Sequence, residues 1–202
     1  MGYEPPMPKT RTPEREERIR QVLARRQQDL TLVMDNVWDP HNVSAILRSC
    51  DAFGVLRVHL YYTTEPWPDL GKKSSASAKK WVERVRHADP AELVFGLKSH
   101  HFQILRTGFS DTAKPPWEYD LTKPTAVILG NEHRGVSPEL CSLVPDEVFI
   151  PMQGMVQSFN VSVAAGLILY EAAGQRRRAG LSDASQLSPE ELERRVADWL
   201  GR

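Results

Sequence analysis

Five short runs of β-branched and aliphatic residues recur along the chain, near 30–36, 55–62, 102–107, 125–129 and 147–151, with helical signals between them. Strands alternating with helices imply a parallel sheet flanked by helices. In such an open sheet, ligands bind beyond the carboxyl ends of the strands, so those ends are where chemistry has to be sought. Terminal helices are expected over 14–28 and 188–201, the second opened by Ser188, Pro189 and Glu191 as a capping box. Residues 1–13 read as disordered, and the Pro- and Trp-containing stretches near 65–70 and 114–117 as loops. This divides the chain into a basic N-terminal tail and helix (1–28), an α/β domain (29–180) and a C-terminal helix (181–202).

Three segments place polar residues where strand ends meet helix starts. In DNVWDPHNVSAILRSCDAFGV (35–55), Asp39 and Pro40 open a helix, Val43, Ile46, Leu47 and Cys50 form its apolar stripe, and Gly54 sits where a left-handed cap belongs. His41 and Arg48 fall within about 20° of one another around that helix, whereas Asn42 and Arg48 are offset by about 120° and share no face. Arg48 reads either as a stem covering the core or as a functional cation. In TAVILGNEHRGVSPEL (125–140), a buried strand delivers Gly130, Asn131, Glu132 and Gly135 before a helix with Ser137 as N-cap and Pro138 at its first position. In FIPMQGMVQSFNVSVAAGLILYE (149–171), a strand ends at Pro151, and Ser158 and Asn160 sit at the opening of an uncharged helix that should be buried. Alone, that last segment is also what a capped core helix looks like. Neither glycine loop carries GxGxxG or GxxxxGK[ST], so a dinucleotide or triphosphate site of those kinds is unsupported.

Together the three segments resemble the SPOUT superfamily of RNA methyltransferases, in particular its TrmH type, the tRNA guanosine 2′-O-methyltransferases. Asn42, Ala45 and Arg48 are similar to the family's N-x-x-A-x-x-R block, Gly130, Glu132 and Gly135 to its G-x-E-x-x-G block, and IPMQGMVQSFNVSVAA to its third, with Phe159 where leucine is usual. The resemblance covers about residues 15–176. It implies a C-terminal deep trefoil knot, a rare exception to ordinary chain topology, and a homodimer with the uncharged helix at its interface. It also implies a bound S-adenosylmethionine, lying against Leu129, Gly130, Asn131, Ile150 and Met152 with Ser158 and Asn160 closing the pocket. The catalytic set it suggests is Arg48, Asn42, Glu132, Ser158 and Asn160. A guanidinium is normally charged and is a poor base at neutral pH. The expectation is therefore that Arg48 orients an RNA phosphate and stabilises developing negative charge, that Asn42 positions it or the ribose, and that Glu132 anchors its own loop. Proton removal is left to a neighbouring phosphate, water or a deprotonated Arg48; His41 reads as a base or as a solvated surface residue.

Charge is the awkward fact for an RNA enzyme, since 26 basic residues balance 26 acidic ones. The basic residues nevertheless cluster: Arg11, Arg15, Arg18 and Arg26 around the N-terminal helix, Lys72, Lys73, Lys79, Lys80, Arg84 and Arg86 around a small-residue loop and Trp81, and Arg176, Arg177 and Arg178 after the uncharged helix. All three clusters, flanking the proposed site, favour phosphate contacts, with His41 and the arginines of the first and last named as the tRNA-binding set, the 2′-hydroxyl then distinguishing RNA from DNA. Cys50 and Cys141 offer neither a disulfide framework nor metal spacing, and neither a signal peptide nor a membrane-length apolar run is evident, which points to the cytoplasm. The expected activity is methylation of guanosine 18 in the tRNA D-loop. Methylation of ribosomal RNA ribose by an enzyme of the same family, and RNA binding without turnover, are the alternatives.

Overall fold

The computed structural model describes residues 12–68 and 78–202. Six strands, β1 (Leu30–Asp35), β2 (Arg57–Tyr61), β3 (Glu83–His87), β4 (Gln103–Thr107), β5 (Thr125–Leu129) and β6 (Glu147–Val148), form one parallel sheet in the order β3-β2-β1-β5-β4-β6. Every side chain of β1 and β5 is buried, as central strands covered on both faces require. One face carries α2 (Pro40–Ala52) and α6 (Val161–Arg178), whose Val43, Ile46, Leu47, Ala165, Ile168 and Leu169 close over Leu32, Met34 and Val127. The other carries α4 (Pro90–Ser99) and α5 (Pro138–Leu143), packed through Leu93, Val94, Leu97 and Leu140 on Val33, Ala126 and Ile128. Helix α3 (Ala78–Trp81) is a single turn, and α1 (Pro13–Ala24) and α7 (Pro189–Leu200) pair around Leu23, Val196 and Trp199. Among the described residues, no helix is long and apolar enough to cross a membrane.

The chain runs outward from β1 to β3, jumps across to β4, and returns to β5 beside β1. Connections leaving β1 and β5 therefore head to opposite sides of the sheet. At their carboxyl ends the two departing loops meet, at the position where open α/β sheets carry their sites.

Local signals held at most boundaries. Asp39 caps α2 by accepting from His41 N at 2.8 Å, Ser188 caps α7 by accepting from Glu191 N at 3.2 Å, and Gly54 takes the left-handed φ of 76°. Four expectations need correcting. The Glu191 carboxylate turns to Arg194 and Arg195 instead of closing the capping box. Ser137 stands at the N-cap of α5 without a side-chain cap, and its backbone N–H donates to Asp35 Oδ2 at 2.6 Å. Strand β6 stops at Val148, since Phe149 and Ile150 leave the ladder and turn toward a cavity. Finally, α6 is buried on one side only: Phe159, just before the helix, and Val163, Leu167 and Tyr170 on it are 39%, 47%, 41% and 65% exposed.

Candidate active site

The loops after β1 and β5 are tied together at the point where the strand order reverses. Asn131 Nδ2 donates to Asn36 O at 2.7 Å, while Asn131 Oδ1 receives the backbone N–H groups of His133 and Arg134. The same residue exchanges two 2.9 Å backbone bonds with Gly135, which pinches the loop into a tight turn. Gly135 supplies the left-handed φ of 71° that the turn needs. Gly130 is required for a different reason: a Cβ there would stand 2.2 Å from the Gly135 carbonyl carbon and 2.3 Å from Val136 N. Its missing side chain thus admits the returning backbone of its own loop.

That geometry sets an expected outcome. Gly130→Ala should cost about 1–3 kcal/mol of stability by overpacking and should also weaken binding to the cavity that this loop lines, whereas Gly154→Ala, with nothing within 4 Å of the added Cβ, should leave stability unchanged. Denaturant midpoints and calorimetric titration of S-adenosylmethionine check both.

Glu132 joins its own segment to the one after β1, and Asn42 carries the link on to the third. Glu132 Oε2 accepts from Trp38 N at 2.8 Å, and its Oε1 from Asp39 N at 3.2 Å and Asn42 Nδ2 at 2.8 Å. Asn42 Oδ1 in turn accepts from Asn160 Nδ2 at 3.0 Å, and Asn160 Oδ1 accepts from Ser162 N at 2.9 Å, capping α6. Burial pushes the Glu132 carboxyl up, but the bonds from Asn42, Trp38 and Asp39 together outweigh it and hold the group below the ordinary carboxylate range. Glu132 therefore stays an anion that accepts, fixing the rotamer of Asn42. Two expectations change here. Glu132 anchors the loop after β1 as well as its own, and Asn42 bonds Glu132 and Asn160 instead of positioning Arg48.

Beyond the ends of β4, β5 and β6 lies a cavity of about 530 Å³. Leu129, Gly130, Asn131, Ile150, Met152, Ser158 and Asn160 all line it. The size and the mixture of apolar wall with backbone polar groups suit a nucleoside-sized ligand. Sequence reasoning missed the β4 side of this cavity, where Thr107, Gly108 and Phe109 complete the wall. That loop is steadied by Glu147, which pairs with Arg106 and accepts from Ser110 N at 2.9 Å. It also missed Asp35, buried at the end of β1, whose carboxyl burial pushes up against the bonds from Ser137 and Asn36 that pull it down.

Arg48 does not line the cavity; it is exposed on α2 and, among the described residues, has neither a hydrogen-bond nor an ion-pair partner. His41 is exposed at the start of α2, its Nδ1 3.0 Å from Asp39 Oδ1. The arginine clusters divide sharply. Arg18, Arg177 and Arg178 are exposed, and Arg15 is half-buried with a 3.3 Å bond to Leu200 O. Arg26 and Arg176, expected on the RNA surface, are interior and 1% exposed, because the fold uses their charges: Arg26 pairs with Asp51 and donates to Val55 O, and Arg176 pairs with Asp29 at 2.6 Å. Arg11, Lys72 and Lys73, and the side chain of Lys79, lie outside the described residues. Trp81 faces inward, its ring 4.9 Å from that of Trp199. Among the described residues, no cluster of three metal-ligating side chains is present.

Comparison with known proteins bears on this geometry. Residues 29–170 match the model of the SpoU rRNA Methylase family. Over 190 residues the chain is 48% identical to the tRNA (guanosine(18)-2′-O)-methyltransferase of Thermus thermophilus, covering 94% of this chain and 97% of that one. It superposes on the crystal structure of the A. aeolicus TrmH/SpoU tRNA modifying enzyme with a TM-score of 0.87 at 40% identity, over 93% of this chain and 95% of the other. The SpoU methyltransferase AviRb from Streptomyces viridochromogenes, solved in complex with AdoMet, superposes with a TM-score of 0.65 at 27% identity, over 75% of this chain and 59% of that one.

Proposed function

This chain belongs to the SpoU rRNA Methylase family, and on that premise we propose that it is an S-adenosylmethionine-dependent tRNA (guanosine(18)-2′-O)-methyltransferase. The observation that carries the proposal is the convergence of three distant segments, through Glu132, Asn42 and Asn160, beside a cavity of nucleoside size. The 48% identity to a tRNA enzyme over nearly the whole of both chains favours tRNA over ribosomal RNA as substrate.

The residues fit a methyl donor. Ile150 and Met152 offer a soft apolar wall, Asn131 and the turn around Gly130 fix the backbone groups between them, and Ser158 and Asn160 close the α6 side. When bound, S-adenosylmethionine supplies an activated methyl group on its sulfonium. The chain's own task is to hold a ribose 2′-hydroxyl in line with that methyl and to stabilise the oxygen as its proton leaves. Asn42, held by Glu132 on one side and Asn160 on the other, fixes the floor on which the ribose rests. Arg48, exposed and without a partner among the described residues, is the cation for the adjoining phosphate and for the negative charge that develops on the oxygen.

Residues 29–180 form the methyltransferase domain, threaded near their C-terminal end as a deep trefoil knot, and the flanking helices extend the tRNA surface with Arg15, Arg18, Arg177 and Arg178. The outward row Phe159, Val163, Leu167 and Tyr170 is the apolar seam of a homodimer. The enzyme works in the cytoplasm, where its substrate is.

Incubation with labelled methyl donor and either unmodified tRNA or ribosomal RNA, followed by nucleoside mapping, tests the assignment. Label is expected on the ribose of guanosine 18 in tRNA. Label on a base, or in ribosomal RNA alone, would overturn it.

A further inference from the structure

Trp38 sits between β1 and α2, after the buried Val37 and before the capping Asp39. Its backbone N–H donates to Glu132 Oε2 at 2.8 Å, so the residue is fixed beside the loop that walls the cavity. The residue is nevertheless 59% exposed. The ring meets that of His133, also exposed, edge to face, with centroids 5.7 Å apart and planes at 61°. Single exposed aromatic side chains such as Trp117 and Phe95 are ordinary surface features; what sets Trp38 apart is that its backbone is held by Glu132 beside the loop that walls the cavity.

We propose that Trp38, braced along its edge by His133, is the platform on which an unstacked base at or next to the methylated nucleotide stacks. This rests on the reading of the cavity as a methyl-donor site for RNA. The chemistry is general: unpaired RNA bases are splayed out and laid on aromatic faces, and each such contact is sequence-tolerant because every base has a π-face. The edge-to-face contact with His133 leaves indole area open for a base. The exposed cation Arg48 stands about two turns further along α2, where it can take the adjoining phosphate while the indole takes the base. Burial beneath a base would also remove the indole's exposed apolar area from water. A backbone clamped by Glu132 presents the ring already oriented, which lowers the ordering cost of binding.

The test uses the full-length enzyme and unmodified tRNA. Trp38→Ala is expected to lower kcat/KM for tRNA by roughly tenfold or more, with the affinity for S-adenosylmethionine and the melting temperature unchanged, and Trp38→Phe is expected to restore most of the loss. In enzyme labelled with 5-fluorotryptophan, the fluorine resonance that Trp38→Phe removes should move on adding tRNA and stay still on adding methyl donor alone. Unchanged kcat/KM in Trp38→Ala together with a resonance unmoved by saturating tRNA would overturn the proposal. So would an altered sedimentation coefficient of the free Trp38→Ala enzyme, which would place the indole in a protein interface. A wild-type enzyme whose Trp38 resonance responds to tRNA but which transfers no methyl group to it would sink the assigned activity and leave the platform standing.

Discussion

Arg48→Ala is expected to reduce methyl transfer to tRNA by roughly 10²- to 10³-fold, the range for removing one preorganised group that stabilises developing oxyanion charge. Affinity for S-adenosylmethionine should be unchanged, because the side chain is exposed on α2 and does not line the donor cavity. Stability should hardly move either. In this fold the structural arginines are recognisable by their partners: Arg26 on Asp51, Arg106 on Glu147, Arg195 on Glu83. Arg48 has no such partner among the described residues, so its removal breaks nothing inside the protein. Arg48→Lys is a sharper probe, since it keeps a point charge but loses the planar fork that grips a phosphate or alkoxide with two parallel bonds. An intermediate rate for lysine would assign Arg48 both charge and geometry. Single-turnover kinetics with labelled donor, beside calorimetric donor affinity and melting temperature, make the comparison. Wild-type turnover in Arg48→Ala would reduce the residue to a solvated stem.

The features legible in the sequence are those fixed within a few residues. Asp39 before Pro40 caps α2 because the carboxylate needs to reach only the next turn, and the fully buried β1 and β5 announce themselves by short, mostly apolar runs. Strand β3 was not legible, because Glu83–His87 is an edge strand of mostly charged residues whose burial alternates only weakly. It is a strand because β2 offers it a ladder. The cavity residues on β5, β6 and α6 were legible as motifs, but their mutual contacts were not. Nothing within either segment reveals that Glu132 reaches back 90 residues to Asn42, or that Gly130 is a glycine on account of Gly135. The exposed side of α6 escaped detection for the opposite reason, since an uncharged helix reads as buried whether its cover is the same chain or another.

Arg176→Ala, by contrast, should act on the fold. Arg176 is 1% exposed and every guanidinium nitrogen is engaged: Nε with Leu121 O at 2.9 Å, one terminal nitrogen with Asp29 Oδ1 at 2.6 Å and Gln27 Oε1 at 3.1 Å, and the other with the Asp29 and Lys123 carbonyls at 3.1 and 2.9 Å. Breaking such a buried pair typically costs about 3–5 kcal/mol, because the acceptors lose a partner that water cannot replace. The lower end is expected here, since Asp29 is partly open and keeps a 2.9 Å bond from Gln186 Nε2. Position adds a consequence. Asp29 and Lys123 lie just before β1 and β5, at the sheet end opposite the cavity, so Arg176 pins the C-terminal end of α6 while Asn160 holds its N-terminal end in the site. Over 18 residues the helix spans about 27 Å, and slack at one end displaces the cap at the other. Arg177→Glu with Arg178→Glu should do the reverse, weakening tRNA binding in a salt-dependent way while the denaturant midpoint stays put. Measuring denaturant midpoint and tRNA affinity for both variants separates the roles, and a wild-type midpoint in Arg176→Ala would return that arginine to the RNA surface.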